Sequence, residues 1–129
     1  MMIYGHRAKS RDTGKWVFGD AVHTKYGTAL YNKEAGFIEV KLETLDKYIG
    51  SYDDNKLPIF EEDFVKLTCV KGNQTRYFIE MVIFDPENCL YVPFFLKNTV
   101  GQWGWKVKEI VVIGNKQDNP DIKTGWTNG

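Results

Sequence analysis

The chain has 129 residues, of which 43% are hydrophobic, 15% aromatic and 26% charged, with a formal net charge of zero. That length holds one domain, or two very small β subdomains at about 1–60 and 61–129, and such a chain buries roughly two-thirds of the surface it would expose unfolded. Neutrality excludes a strongly basic nucleic-acid footprint. No run of about 18 apolar residues offers a membrane span. The segment MMIYGHRAKS has no apolar run ahead of its charges, so the chain reads as cytoplasmic.

In chain order, the punctuation is that of a β protein. Ile3–Ala8 reads as a strand, Ser10–Lys15 as a turn, and Trp16–Thr24 as the second strand of a hairpin. Lys25–Thr28 turns again, Ala29–Tyr31 continues, and Gly36 precedes a short strand over Phe37–Val40. Apolar residues at Leu42, Leu45, Tyr48 and Ile49 suggest one helical turn, without a capping box to support it. Ser51–Lys56 is a turn cluster, and Pro58 keeps the following residues extended at an edge. Asp63–Val70 and Arg76–Phe84 are the clearest strands and form a hairpin across Lys71–Thr75. A turn over 85–88 leads to an apolar run, Cys89–Leu96, in which Pro93 marks an edge or a bulge. Gly101–Trp105 is an aromatic loop, and Lys106–Ile113 reads as a buried closing strand. Asn119-Pro120 starts a last turn or short helix, and the tail is expected to fray. Short strands with little helix predict a mainly β fold. The expectation is a short-stranded barrel or sandwich-like domain with at most one or two helical turns.

Charge is unevenly spread along the chain. Residues 1–33 carry six Lys/Arg and two acids, whereas residues 34–64 carry nine acids and three lysines. This pattern implies two solvated faces, a modest anion-binding face, or head-to-tail association of copies. Arg7, Arg11 and Lys15 could meet phosphates while Trp16 stacks a base. Alternatively, Trp16-Val17-Phe18 turns its aromatic face into the core and the arginines are simply solvated. Trp103 and Trp105 flank Gly104, and either form a patch for a protein partner or cover the end of a barrel.

Catalytic and metal chemistry find little support. His6, His23, Cys69 and Cys89 do not have metal-ligand spacing. Asp53-Asp54-Asn55 lacks the glycine and distal glutamate of a calcium loop. The Gly-Lys of "DTGKW" has no phosphate-loop context, and neither serine sits in a nucleophile elbow. Glu61-Glu62-Asp63 is the one dense carboxylate group, and alternation lets at most Glu61 and Asp63 share a side. Both cysteines read as free and buried, with a disulfide between neighbouring strands as the alternative. No cofactor, no metal and no enzymatic activity are expected.

Three segments resemble a known family. "HRAKSRDTGKWVFGDAV" is similar to a pattern of Arg, a turn ending in Gly, then Trp-hydrophobic-aromatic-Gly, here Arg7, Gly14, Trp16 and Gly19. "ETLDKYIGSYDDNKLPIFEEDFVKL" is similar to a core of Thr, aromatic-x-Gly, an Asp-rich turn, Ile-aromatic and an acid opening a strand. Here these are Thr44, Tyr48, Gly50, Asp53, Ile59, Phe60 and Asp63. "IVVIGNKQDNPDI" is similar to a closing strand with an Asn-Pro tail. Together they resemble the YopX family of phage and prophage proteins. This chain departs from the family at two turns: Asn55-Lys56 stands for Asn-Gly, and Glu61-Glu62-Asp63 for Glu-Gly-Asp. Both departures remove a glycine from a turn, which puts in question the turn geometry, such as a positive-φ position, more than the fold.

The resemblance implies a mostly β fold, a phage or prophage origin and a bacterial cytoplasm, and it carries over no catalytic residue. The leading expectation is a non-catalytic binding or assembly module whose partner is a protein, including a second copy of itself. The alternatives are a nucleic-acid-binding module using the N-terminal segment and, more weakly, a carboxylate-based hydrolase.

Overall fold

The structure, a computed structural model, describes residues 5–87, 89–93 and 104–127. The chain divides into two units, Met1–Gly50 and Ser51–Gly129.

In the first unit, five antiparallel strands follow one another: β1 (His6–Lys9), β2 (Trp16–Thr24), β3 (Gly27–Asn32), β4 (Gly36–Glu39) and β5 (Asp46–Tyr52), the last running across the unit boundary. They lie in the order β4-β3-β2-β1-β5. The β1–β2 turn is tied by Ser10, whose Oγ accepts the amides of Asp12 and Thr13, and Gly14 takes φ 72°. Alternation gives the sheet two unlike faces. One gathers Ala8, Leu30 and Val40, all at most 1% exposed, with Val17, Ala21, Ile38 and Leu45 packed against them. Gly19 lies on this side, and a Cβ there would stand 2.6 Å from the Tyr31 carbonyl oxygen. The close approach of β2 and β3 therefore requires glycine.

The helical turn expected over 42–48 is only a 3₁₀ turn, Leu42–Thr44, after which the chain enters β5. Spacing of three was misleading because Asp46 is drawn alongside Arg7 as β5 pairs with β1. Tertiary pairing outweighs a weak local propensity. Thr44 fixes the junction: its Oγ1 accepts the Lys9 amide at 2.8 Å and donates to the Lys41 carbonyl at 2.7 Å.

The second unit contains β6 (Pro58–Phe60), β7 (Asp63–Lys71), β8 (Gln74–Met81), β9 (Ile83–Asp85), β10 (Leu90–Val92), β11 (Lys106–Asn115) and β12 (Gly125–Thr127). An antiparallel sheet runs β11-β7-β8-β12, and β9 pairs with β10. Its central strand β7 carries Val65, Leu67 and Cys69, all at most 1% exposed, and Ile59, Phe60 and Val82 are at most 2% exposed. The β7–β8 hairpin turns on Gly72-Asn73 alone, with Gly72 at φ 58°.

Three expectations are corrected in this unit. β11 is not a fully buried strand: it lies at the sheet edge, no residue in it is fully buried, and it has two register shifts. The tail does not simply fray, because β12 adds to β8. Cys89 is exposed, at φ 54° in a turn, while Cys69 is buried; both are free thiols. The mainly β expectation is met. Among the described residues the sheets are open and antiparallel, no barrel closes, and the 3₁₀ turn is the sole helical segment. No helix there is long and apolar enough to cross a membrane.

Candidate functional site

The second face of the first unit's sheet is built from the residues that alternate with the core. Register places Lys9 opposite Trp16, Arg7 opposite Phe18, Asp20 opposite Tyr31, and Tyr31 opposite Phe37. Val17 faces the core, so Trp16 and Phe18 face away from it. The aromatic pair on β2 is therefore not the core face, contrary to the alternative reading of that strand. Phe18 is 45% exposed, Tyr31 42% and Phe37 69%, and the Tyr31 and Phe37 rings sit 5.0 Å apart. A diagonal line of four aromatics thus crosses β2, β3 and β4. Large rings left in water on one continuous face are costly to keep unless something covers them.

Cations stand at one end of this line. The Arg7 guanidinium lies 4.6 Å from the Trp16 ring centre and the Lys9 ammonium 5.3 Å. Arg7 is not solvated: it is 8% exposed and reaches Asp46 Oδ2 from Nε and Nη2, both at 3.0 Å. It therefore holds β5 to β1 and orients Trp16. Arg11 and Lys15 are exposed in and beside the Ser10 turn. The Arg11 amide donates to the Glu39 carbonyl and its Nε to the Val40 carbonyl at 3.3 Å, so its guanidinium is carried across the end of β4. There it borders a groove of ≈ 350 Å³ lined by Tyr26, Gly27, Ala29, Phe37 and Glu39. Tyr26 is 87% exposed. Of the residues singled out in the sequence, the structure brings Arg7, Trp16 and Arg11 to this face and leaves Lys15 on the adjoining turn. Sequence reasoning missed Tyr31, Phe37 and Tyr26. The available signal was the alternation Leu30/Tyr31 and Phe37/Ile38, which puts small or aliphatic residues on one side and rings on the other.

The carboxylates of the second unit hold backbone. Asp53 Oδ1 accepts the amides of Asn55 (2.9 Å) and Leu57 (2.8 Å), and its Oδ2 accepts Val112 (2.9 Å). Asp54 Oδ2 accepts Ile110 at 2.6 Å, and the Asp54 amide donates to the Ile110 carbonyl. This turn closes the free edge of β11. Asp63 is 1% exposed and its Oδ2 accepts the Phe60 amide at 2.8 Å. Glu62 pairs with Lys116 at 3.6 Å, and its amide donates to the Val82 carbonyl. Glu61 lies near Tyr91, whose hydroxyl pKa is raised first by burial and then by that carboxylate.

A family model described as YopX protein matches residues 5–122. The chain belongs to the YopX family. No curated protein and no solved structure matches it. In this YopX chain the two lost glycines can be read directly: Lys56 stands at φ 65° and Glu62 at φ 68°. Asp53, the family's turn acid, is the clip on β11, and Gly19 is the close contact between β2 and β3.

Trp103 lies outside the described residues. Trp105 is half-buried and packs with Trp126, ring centres 5.9 Å apart, rather than standing alone as a loop-tip patch. Among the described residues no cluster of three or more His, Cys, Asp or Glu side chains could hold a metal ion.

Proposed function

We propose that this YopX chain is a non-catalytic binding module, and that the aromatic face of its first unit takes single-stranded nucleic acid. One observation carries the reading: Trp16, Phe18, Tyr31 and Phe37 line one open sheet face, with Lys9, Arg11 and Lys15 beside it. Bases stack on such rings irrespective of sequence, at roughly 1–3 kcal/mol per base, and cations follow the backbone. The unit's modest positive charge fits weak, salt-dependent contact rather than a duplex-binding footprint.

The test is a titration with fluorescent single- and double-stranded DNA and RNA at low and moderate salt. Single strands should bind more tightly than duplex, and Phe37→Ala and Tyr31→Ala should weaken binding without lowering the melting temperature. No binding at low salt overturns this reading.

A protein partner, including a second copy, is the other reading. Its specific support is the groove rimmed by Tyr26 and Phe37, which holds both a cation, Arg11, and an anion, Glu39. Mixed charge of this kind suits a protein surface better than a phosphate chain. Sedimentation at rising concentration tests self-association, and Tyr26→Ser should abolish any dimer formed through this groove.

A further inference from the structure

The second unit carries a second cationic cluster, independent of the first face. Arg76 on β8 lies opposite Cys69, and Lys71, two residues beyond Cys69, shares that face of the sheet. Diagonal neighbours of this kind have Cβ atoms roughly 7–8 Å apart. The Arg76 guanidinium lies beside two indoles, 4.7 Å from the Trp126 ring centre and 5.7 Å from that of Trp105. Its Nε is buried and meets no hydrogen-bond acceptor. No carboxylate pairs with Arg76 or Lys71 among the described residues. Lys71 reaches the same corner, since a Cβ on Gly104 would stand 3.6 Å from its Nζ. Trp126 keeps 41% of its surface open.

A guanidinium that is oriented by two rings, partly withdrawn from water and not neutralised is arranged for an incoming anion. We infer that Arg76 and Lys71 form a phosphate-monoester site. The phosphate accepts hydrogen bonds from Arg76 and is balanced by the charge of Lys71, and the planar base of the phosphorylated nucleoside stacks on Trp126. The ligand class is a nucleoside monophosphate, either free or as the 5′-phosphorylated end of a strand.

The test follows the indole N–H signals of Trp105 and Trp126 by NMR during titration with adenosine 5′-monophosphate, adenosine, and inorganic phosphate. The monophosphate should bind at least tenfold more tightly than adenosine or phosphate alone, shifting both signals. Arg76→Gln should remove this preference, and Lys71→Gln, an exposed change that leaves the indole packing intact, should weaken it severalfold. Phe37→Ala should leave it unchanged, so the site stands or falls apart from the aromatic face of the first unit. Comparing 5′-phosphorylated with 5′-hydroxyl oligonucleotides distinguishes the two sources: a preference for the phosphorylated strand assigns the site to strand ends, and a preference confined to the mononucleotide assigns it to the free ligand. Equal affinity for adenosine and its monophosphate overturns the inference. So does a monophosphate affinity unchanged in Lys71→Gln and Arg76→Gln alike.

Discussion

The two sheets use aromatic residues in opposite ways. In the first unit, the inward positions hold small or aliphatic residues (Ala8, Val17, Gly19, Ala21, Leu30), and the rings of Phe18, Tyr31 and Phe37 face water. In the second unit, Trp126 packs on Phe78 and on Trp105, with centroid distances of 5.2 and 5.9 Å, and Arg76 lies beside both indoles. A ring packed on other rings needs no further explanation, because it contributes to folding. Outward rings such as Phe18 and Phe37, 45% and 69% exposed, lie outside the apolar core of their unit, even though Tyr31 and Phe37 pack on each other at 5.0 Å. The difference is what supports the proposal that the first unit's face is a contact surface, whereas the rings of the second unit's sheet pack around one another beside the Arg76 guanidinium.

The polar reinforcement differs too. The first unit relies on a buried ion pair between Arg7 and Asp46, with side chains 10% and 3% exposed. The second relies on carboxylates that bind backbone amides along an edge. The largest expected effect comes from breaking the former. Asp46→Ala removes the carboxylate that Arg7 reaches inside the sheet, and should cost about 3–5 kcal/mol, read as a fall in the urea midpoint. Hydrogen exchange should rise first in β1 and β5. Replacing both residues, Arg7→Met with Asp46→Leu, should recover much of the loss. A double variant as unstable as the single one would show that the pair is essential to the fold rather than replaceable.

Next in size is the clip. Asp53→Ala removes acceptors from Asn55, Leu57 and Val112, and should cost about 2 kcal/mol. Exchange should quicken at those amides and not in β1–β4. Asp54→Ala, at an exposed single bond, should cost less. If Asp53→Ala were silent in stability but altered binding, the carboxylate would belong to a site and the contrast drawn between the two sheets would fail.

Lys56 and Glu62, two of the non-glycine residues at positive φ, give a smaller effect of opposite sign. Side chains in this region cost about 1–2 kcal/mol, partly offset in a glycine variant by the greater freedom of the unfolded chain. Lys56→Gly should therefore stabilise by about 0.5–1 kcal/mol. Glu62→Gly should gain less, because it gives up the partly exposed pair with Lys116. Lys56→Ala should gain nothing. A gain from alanine equal to that from glycine would refute the backbone explanation.

Much of this architecture was legible in the chain. β2 was readable residue for residue, because aromatic and β-branched residues between turn clusters leave little choice. The Asn-Lys and Glu-Glu departures from the family pattern drew attention to two turns whose backbone proves to be at positive φ, at Lys56 and Glu62, whereas nothing in the sequence drew attention to Cys89. β5 was not legible, since only its pairing with β1 makes Asp46–Tyr52 a strand. β12 was also hidden: a three-residue strand has no period of its own and exists through Phe78 and Trp126. Of the candidate site, the cations and Trp16 could be read directly. That Arg7 is spent on Asp46 could not, because the two are 39 residues apart and meet only in the register of β1 with β5.

The smallest effect concerns the two thiols, which sort by burial. Cys69 is fully buried and Cys89 exposed. A maleimide should modify Cys89 alone in the native protein and both thiols in denaturant, read by mass. Burial raises the Cys69 pKa above its ordinary value of 9.0. Below that value both the folded and unfolded states keep the proton, and stability is unaffected. As pH rises past it, the unfolded chain releases the proton first, so stability falls until the folded thiol also ionises. Tyr91, also raised, acts in the same direction from about its ordinary 10.0 upward. The alkaline loss of stability should therefore be shallower in Cys69→Ala than in the parent between pH 9 and 10, and above about pH 10 shallower still when Tyr91→Phe is added. An unchanged slope in Cys69→Ala would mean that the thiol reaches water through openings of β7 and β8, and that the second unit's sheet is looser than its packing suggests.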